Sequence, residues 1–293
     1  SVINPAGTAE TQRTQPIGTG AFRFAEYVPG SHVRLERFED YWEEGLPYLD
    51  SAEFRIMSDA NARFAALQAG DIDLIGVALL PEQFQQVVAN PDLKATQGSG
   101  TAEITMALNN AREPLNDVRV RRALNMAIDR AGMVSLLYEG QAEKVVLQHP
   151  EFGRYYQPVS EMPASAQEIF EYNPAKAKAL LAEAGLPNGF ELKVQVCTCY
   201  PDHMDMIPLI TDYWSRIGVR VTIQPMEFAA FLSALTTRNH GPGRMMDTAH
   251  VNPYAMLRRF RTGETWNTSV YSSPEFDAAV DRLVRTRDEE ERI

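Results

Sequence analysis

Apolar and polar residues alternate in three short stretches near the start of the chain: Phe22-Arg23-Phe24, Val33-Arg34-Leu35-Glu36-Arg37-Phe38 and Glu53-Phe54-Arg55-Ile56. A two-residue period of this kind belongs to strands with one covered face, so a small mixed sheet is predicted. The pattern then changes. Residues 60–68 read as a short helix closed by Gly70, residues 71–77 (Asp71-Ile72-Asp73-Leu74-Ile75-Gly76-Val77) return as a strand, and Pro81 starts another helix. A strand over 103–108 and the pair Asn109-Asn110 lead into the most strongly patterned segment, residues 114–130. There Val120, Ala123, Leu124, Ala127 and Ile128 repeat at i, i+3, i+4, i+7 and i+8 behind an Asn116/Asp117 start signal. One amphipathic helix is predicted, with its arginines flanking a buried stripe.

The second half continues with helices and strands in turn. Asn173-Pro174 opens a helix with Ala177, Leu180, Leu181 and Ala184 on one face and Gly185 at its end. Residues 191–196 read as a strand, a helix with Ile207, Ile210, Trp214 and Ile217 inside stops at Gly218, and residues 219–223 form the next strand. This is a βαβ unit with parallel strands. A helix over 228–236 follows, and Ser273-Pro274-Glu275 opens a last one through Phe276, Val280, Leu283 and Val284. No stop signal precedes the acidic run at the end of the chain, and residues 1–15 are polar and unpatterned. Both ends read as cut from a longer parent or as partly disordered. Two α/β blocks joined near residues 105–112 make a two-lobed architecture, and such lobes commonly hold a ligand between them.

Composition narrows the function classes. The 293 residues are 44% hydrophobic and 23% charged, and 39 acidic against 28 basic side chains leave a net charge of −11. That field repels nucleic acid and anionic membrane, so neither is expected as a partner. No apolar run approaches the ~18 residues of a membrane span, so no membrane insertion of this segment is expected. The patterns of the common catalytic motifs, a G-x-S-x-G elbow, an H-E-x-x-H pair or a G-x-x-x-x-G-K-S/T loop, are missing, and no enzyme is predicted. Asp71 and Asp73 read as strand residues and Glu289 to Glu291 as a solvated run. Cys197, Cys199, His203, Met204 and Met206 bring soft donors together, but C-x-C with a trailing histidine is not a defined zinc spacing. Residues i and i+2 of a strand sit awkwardly for a disulfide, so two free thiols, no metal and no cofactor are expected.

The segment Pro114-Leu115-Asn116-Asp117-Val118-Arg119-Val120-Arg121-Arg122-Ala123-Leu124-Asn125-Met126-Ala127-Ile128-Asp129-Arg130 resembles the signature of the solute-binding proteins of ABC importers, family 5. Pro16-Ile17-Gly18-Thr19-Gly20-Ala21-Phe22 resembles that family's P-V-G-T-G-P-F, and Leu35 to Trp42 its L-x-R-N-x-x-Y-W. Further matches at residues 65–73, 173–181, the helix around Leu235 and residues 271–277 keep the family's order. The resemblance covers nearly the whole chain and implies an α/β, two-lobed periplasmic-binding-protein-like fold (class II, family 5), here a partial chain. Residues 1–106 would be the remaining part of the first lobe, a mixed sheet with helices. Residues 107–293 would be the second α/β lobe, truncated at its C-terminal helix.

The implied function is the substrate-binding component of an ABC importer, a monomer that captures a peptide or peptide-like solute in the interlobe cleft and delivers it to the membrane permease. The implied location is periplasmic, or extracellular on a lipid anchor. A solute-sensing domain of a regulator and a metal-chelate binder share the fold. The loop Val77-Ala78-Leu79 would face the ligand from the first lobe, apolar where oligopeptide binders tend to carry Tyr and Asn. His203, eleven residues before Trp214, resembles a ligand-contacting histidine, against an exposed loop histidine with no ligand. In Arg244-Met245-Met246-Asp247-Thr248-Ala249-His250-Val251-Asn252-Pro253, alignment on Pro253 puts Met246 near the aromatic and Ala249 near the aspartate of the family's W-G-x-D-Y-x-x-P stretch. Asp247 falls two residues away. Met245 and Met246 would offer an adaptable surface, and Arg244 a partner for a ligand carboxylate, unless the stretch is a core-facing strand end. Thr248 and His250 complete the candidate set.

Overall fold

A computed structural model describes residues 7, 10–77, 79–96, 102–140, 142, 149–237, 240–249, 252–288 and 290–292. The chain divides into two compact units, Ser1–Thr96 and Gln97–Ile293.

In the first unit, β1 (Phe22–Val28), β2 (His32–Arg37) and β3 (Ser51–Arg55) form a three-stranded sheet in that order. Both pairings are antiparallel, so the sheet is not mixed as the sequence suggested. Helices α1 (Ala60–Ala69) and α2 (Pro81–Ala89) follow. Asp59 caps α1 by accepting the Ala62 N–H at 2.7 Å. Gly70 ends it at φ +76°, a left-handed conformation that a side chain disfavours. The strand expected over 71–77 does not form. Alternation alone makes no strand without a neighbour to complete its ladder, and β3 has no described partner beyond β2. Leu74 is accordingly 79% exposed. Among the described residues of this unit, Phe64 and Val87 are the buried large apolar side chains.

The second unit holds the main core. Its sheet has the order β4-β7-β5-β6, built from β4 (Ala102–Leu108), β5 (Glu191–Cys197), β6 (Arg220–Met226) and β7 (Gly243–Ala249). Strand β5 is parallel to both β6 and β7, and β4 runs antiparallel along β7 from Ala102↔Ala249 to Leu108↔Gly243. Gly189 and Gly218 meet where β5 and β6 begin. Both have positive φ, and a Cβ on Gly189 would lie 1.9 Å from the Gly218 carbonyl oxygen.

The segment at 114–130 is two helices rather than one: α3 (Val118–Met126) and α4 (Arg130–Tyr138). The break has a local cause. Asp129 leaves helical geometry and accepts the Gly132 N–H at 2.9 Å, starting a new helix. Ile128 still joins the core from the connection. The arginines hold backbone around the helix: Arg121 donates to the Leu115 carbonyl at 2.7 Å and Arg122 to that of Ser165 at 3.3 Å. Short α5 (Ala164–Gln167) precedes α6 (Pro174–Glu183), which is capped by Asn173. The βαβ unit is confirmed by α7 (Pro201–Ser215) between β5 and β6. Trp214 on α7 is fully buried and donates its indole N–H to the Leu124 carbonyl of α3 at 2.8 Å.

Helix α8 (Phe228–Thr236) links β6 to β7, and α9 (Pro253–Arg258) and α10 (Pro274–Arg285) complete the unit. Helix α10 stops at Arg285 with Arg282 and Arg285 in its last turn, so it never reaches the acidic run.

Candidate functional site

The chain leaves β5 toward β6 through α7 and then returns through α8 to β7, on the other side of β5. The carboxyl ends of β5 and β7 therefore flank a switch point. In open α/β sheets the crevice at such a point is where ligands bind, because the connections on either side diverge.

His203, on the first turn of α7, reaches across this point. It is fully buried, and its Nε2 lies 2.6 Å from Oδ1 of Asp247 on β7. Its ring packs 4.8 Å from that of Tyr200, and Nδ1 is buried without a hydrogen-bond partner among the described residues. The exposed-loop reading of His203 is thus corrected: the residue sits on a helix with its ring inside. Asp247 remains exposed, its side chain retaining 41% of its accessible surface. Beside it Thr248, half-buried, donates to Glu103 Oε1 at 3.1 Å, and Arg259 donates to the same oxygen at 3.1 Å. Burial pushes the Arg259 guanidinium down, against the pull of Glu103. Tyr138 of α4 carries a phenol pushed up to about 12, first by burial and then by the charges of Asp202, Asp247 and Asp205.

The preceding residues of β7 point into the protein. Met245 lies in the main core, and Met246 packs with Cys197 and Phe231 in a second cluster on the α8 side of the sheet. Arg244 is 1% exposed. Its Nη2 donates to the Phe231 carbonyl at 2.6 Å and its guanidinium carbon sits 3.4 Å from the centre of the Phe231 ring. Its Nε and Nη1 have no partner, and neither has Oε1 of Gln195, its neighbour in the sheet. Desolvation pushes the guanidinium down to about 10. The core-facing description fits Arg244, Met245 and Met246; none of the three lies on an open surface.

Cys197 and Cys199 are joined to each other in a disulfide. This corrects the expectation of free thiols. Strand β5 ends at Cys197, so Cys199 lies in a turn where the strand alternation no longer applies. With the sulfurs engaged, no group of three His, Cys, Asp or Glu side chains among the described residues suits a metal ion.

Of the remaining candidates, Val77 is exposed and Leu79 half-buried, both in the first unit. Ala78 and His250 lie outside the described residues. The structure therefore brings together His203 and Asp247 and adds Tyr200 and Tyr138 near them, whereas Thr248, next along β7, turns to the opposite face of the strand with Glu103 and Arg259. Sequence reasoning missed Glu103 because its place opposite Thr248 follows from the β4–β7 register, which no local pattern encodes.

The sheet thus presents an exposed carboxylate at the end where α/β sheets commonly bind ligands. Residues 2–267 match the profile of the bacterial extracellular solute-binding proteins, family 5 (middle). The chain belongs to that family. It is 32% identical over 233 residues to heme-binding protein A of Haemophilus influenzae, covering 77% of this chain and 40% of that protein. It is 31% identical over 242 residues to the oligopeptide-binding protein AppA of Bacillus subtilis, covering 78% and 43%. The fold matches the periplasmic binding protein DppA of Helicobacter pylori in complex with the peptide STSA, with a TM-score of 0.84 at 24% identity over 99% of this chain and 58% of that one. The chain thus spans about two fifths of the length of these two curated relatives.

Proposed function

We propose that this chain is part of the substrate-binding component of an ABC importer, non-catalytic, taking up a peptide or peptide-like solute outside the cytoplasm and delivering it to a membrane permease. The observation that carries the reading is the family match over residues 2–267. A peptide ligand is favoured because one relative is named an oligopeptide-binding protein and the matching fold was solved with a peptide. The carboxyl edge of the second sheet suits such a ligand: Asp247 offers an exposed carboxylate oriented by His203 for an ammonium group, while Glu103, Thr248 and Arg259 tie β7 to its neighbours on the other face of the strand. Val77 to Leu79, in the first unit, are proposed as further ligand contacts. Arg244 would act behind the surface, setting the position of β7 against α8, rather than as a contact. The location is periplasmic, or extracellular on a lipid anchor, and the protein works as a monomer.

Thermal-shift measurements on the full-length protein test this. Peptides at about 100 times their dissociation constant stabilise the native state by about 2.7 kcal/mol, a rise of several degrees. Asp247→Ala lowers that rise for peptides, read against the variant's own unliganded melting temperature, which itself falls because the buried His203 loses its bond. If peptides shift nothing while haem, a nickel chelate or a sugar does, the peptide assignment is wrong although the family is not.

A further inference from the structure

The Cys197–Cys199 disulfide is an unusual piece of this fold. Only one residue separates the two cysteines, so the loop it closes is very short and removes little entropy from the unfolded chain. Stabilisation is therefore a weak reason for its presence. Its surroundings point to chemistry. Cys197 is fully buried among Phe231, Met246, Tyr200 and Met226, whereas Cys199 is exposed in the turn that leads into α7. The backbone N–H of Cys199 donates to Sγ of Cys197 at 3.3 Å. The same turn lies at the switch point where His203 bonds Asp247.

Thiol–disulfide exchange needs a thiolate to approach one sulfur along the line of the bond, opposite the sulfur that departs. Here only one direction is open. An attacker from solvent meets Cys199 Sγ, and Cys197 Sγ, on the interior side, is the one that leaves. The negative charge that develops on Cys197 falls on the sulfur that already accepts the Cys199 N–H, a bond that offsets part of the cost of a thiolate among apolar side chains. An exposed disulfide of this kind belongs with the labile ones rather than the structural ones.

We propose that Cys197–Cys199 is a thiol-exchange site, modified at Cys199 by low-molecular-weight thiols. In the forward step a thiolate RS⁻ attacks Cys199: the RS–S(Cys199) bond forms, the Cys197–Cys199 bond breaks, and Cys197 takes the electron pair as thiolate. A second RS⁻ attacking the mixed disulfide at the sulfur of R releases RSSR and leaves both cysteines reduced. The protein disulfide is thereby reduced by two electrons and two thiols are oxidised. The adduct would sit at the carboxyl end of β5, in the turn that leads into α7, and the exchange does not depend on the proposed solute-binding role.

The test uses the full-length protein, excess reduced glutathione in native buffer, rapid quenching with iodoacetamide, and peptide mapping by mass spectrometry. The expected result is loss of the disulfide without unfolding, with glutathione on Cys199 and the alkyl group on Cys197. Against oxidised glutathione, Cys197→Ser, which leaves the exposed thiol, forms an adduct at least roughly tenfold faster than Cys199→Ser, which leaves the buried one. Resistance of the disulfide until denaturant is added overturns the proposal, as does glutathione on Cys197 or equal rates in the two variants. If either variant fails to fold, the mapping in the unsubstituted protein decides alone.

Discussion

Replacing Trp214 by phenylalanine tests the joint between α7 and the helix that carries the family signature. The indole is 1% exposed and its N–H donates to the Leu124 carbonyl across 90 residues of chain. Leu124 lies in the last turn of α3. Among the described residues no backbone N–H reaches its carbonyl, because Ala127 bonds Ala123 and Ile128 bonds Asn125. Phenylalanine removes the donor and leaves that carbonyl buried and unsatisfied, at a cost of about 1–3 kcal/mol. The smaller ring also leaves a void between α3, α6 and α7, adding about 1–2 kcal/mol. A loss centred near 3 kcal/mol follows. For a unit of this size each kcal/mol moves the melting temperature by about 2–4 °C, so a fall of about 10 °C is expected. Urea denaturation of the full-length protein followed by far-ultraviolet circular dichroism measures the loss without relying on the deleted fluorophore. A loss below about 1 kcal/mol, with the denaturant slope unchanged, refutes the reasoning: it would mean that the Leu124 carbonyl finds another donor and that the core closes around the smaller ring.

Arg244→Met should be neutral or stabilising by about 1 kcal/mol, since it removes a buried guanidinium without a carboxylate partner among the described residues, a cost on the order of 3 kcal/mol, while losing the bond to Phe231, about 2 kcal/mol. The guanidinium is protonated in both states at pH 7, so the cost is fully present there and fades only above about pH 10; marked destabilisation at pH 7 would reveal an anionic partner. Asn173→Ala removes the cap that accepts the Lys176 N–H at 2.9 Å and should lower stability by about 1 kcal/mol in the same urea assay; no change would mean that the bond from its backbone N–H to the Met126 carbonyl sets the start of α6 unaided. His240 is held below its ordinary 6.5, first by burial and then by repulsion from Arg244 and Arg112, against the Gly241 carbonyl. It is neutral in both states at high pH and contributes nothing there. As the pH falls through 6.5 the unfolded chain takes up the proton first, so stability declines, and His240→Gln should flatten that decline; a variant with the same acid slope would show that other groups cause it.

Local chemistry carried much of the fold into the sequence. Asn173-Pro174, Gly185, Ser273-Pro274 and Gly218 mark helix boundaries because caps, proline and left-handed glycine act within a few residues. Val194, Val196, Ile207, Ile210 and Trp214 fall in one core because period and burial agree. The same local logic failed where neighbours decide. Residues 71–77 alternate like a strand but find no described ladder partner. The stripe at 120–128 continues past Met126, yet Asp129 caps a new helix.

The candidate site was legible only in pieces. His203 and Asp247 were both visible as chemistry-bearing residues, but their 2.6 Å contact spans 44 positions and depends on α7 packing over the end of β7. Arg244 looked like a ligand partner because its charge suggests solvent, and the pleat of β7 turns it under α8 instead. The sequence by itself determined the family, the βαβ order and most helix limits, since motif order, periodicity and capping are properties of short stretches. Only the tertiary structure decided which strand ends adjoin, that Glu103 faces Thr248, that the two cysteines are bonded and that Asp247 is exposed with its histidine behind it. Register and burial are set by the sum of many distant contacts, and no single stretch of the chain holds that sum.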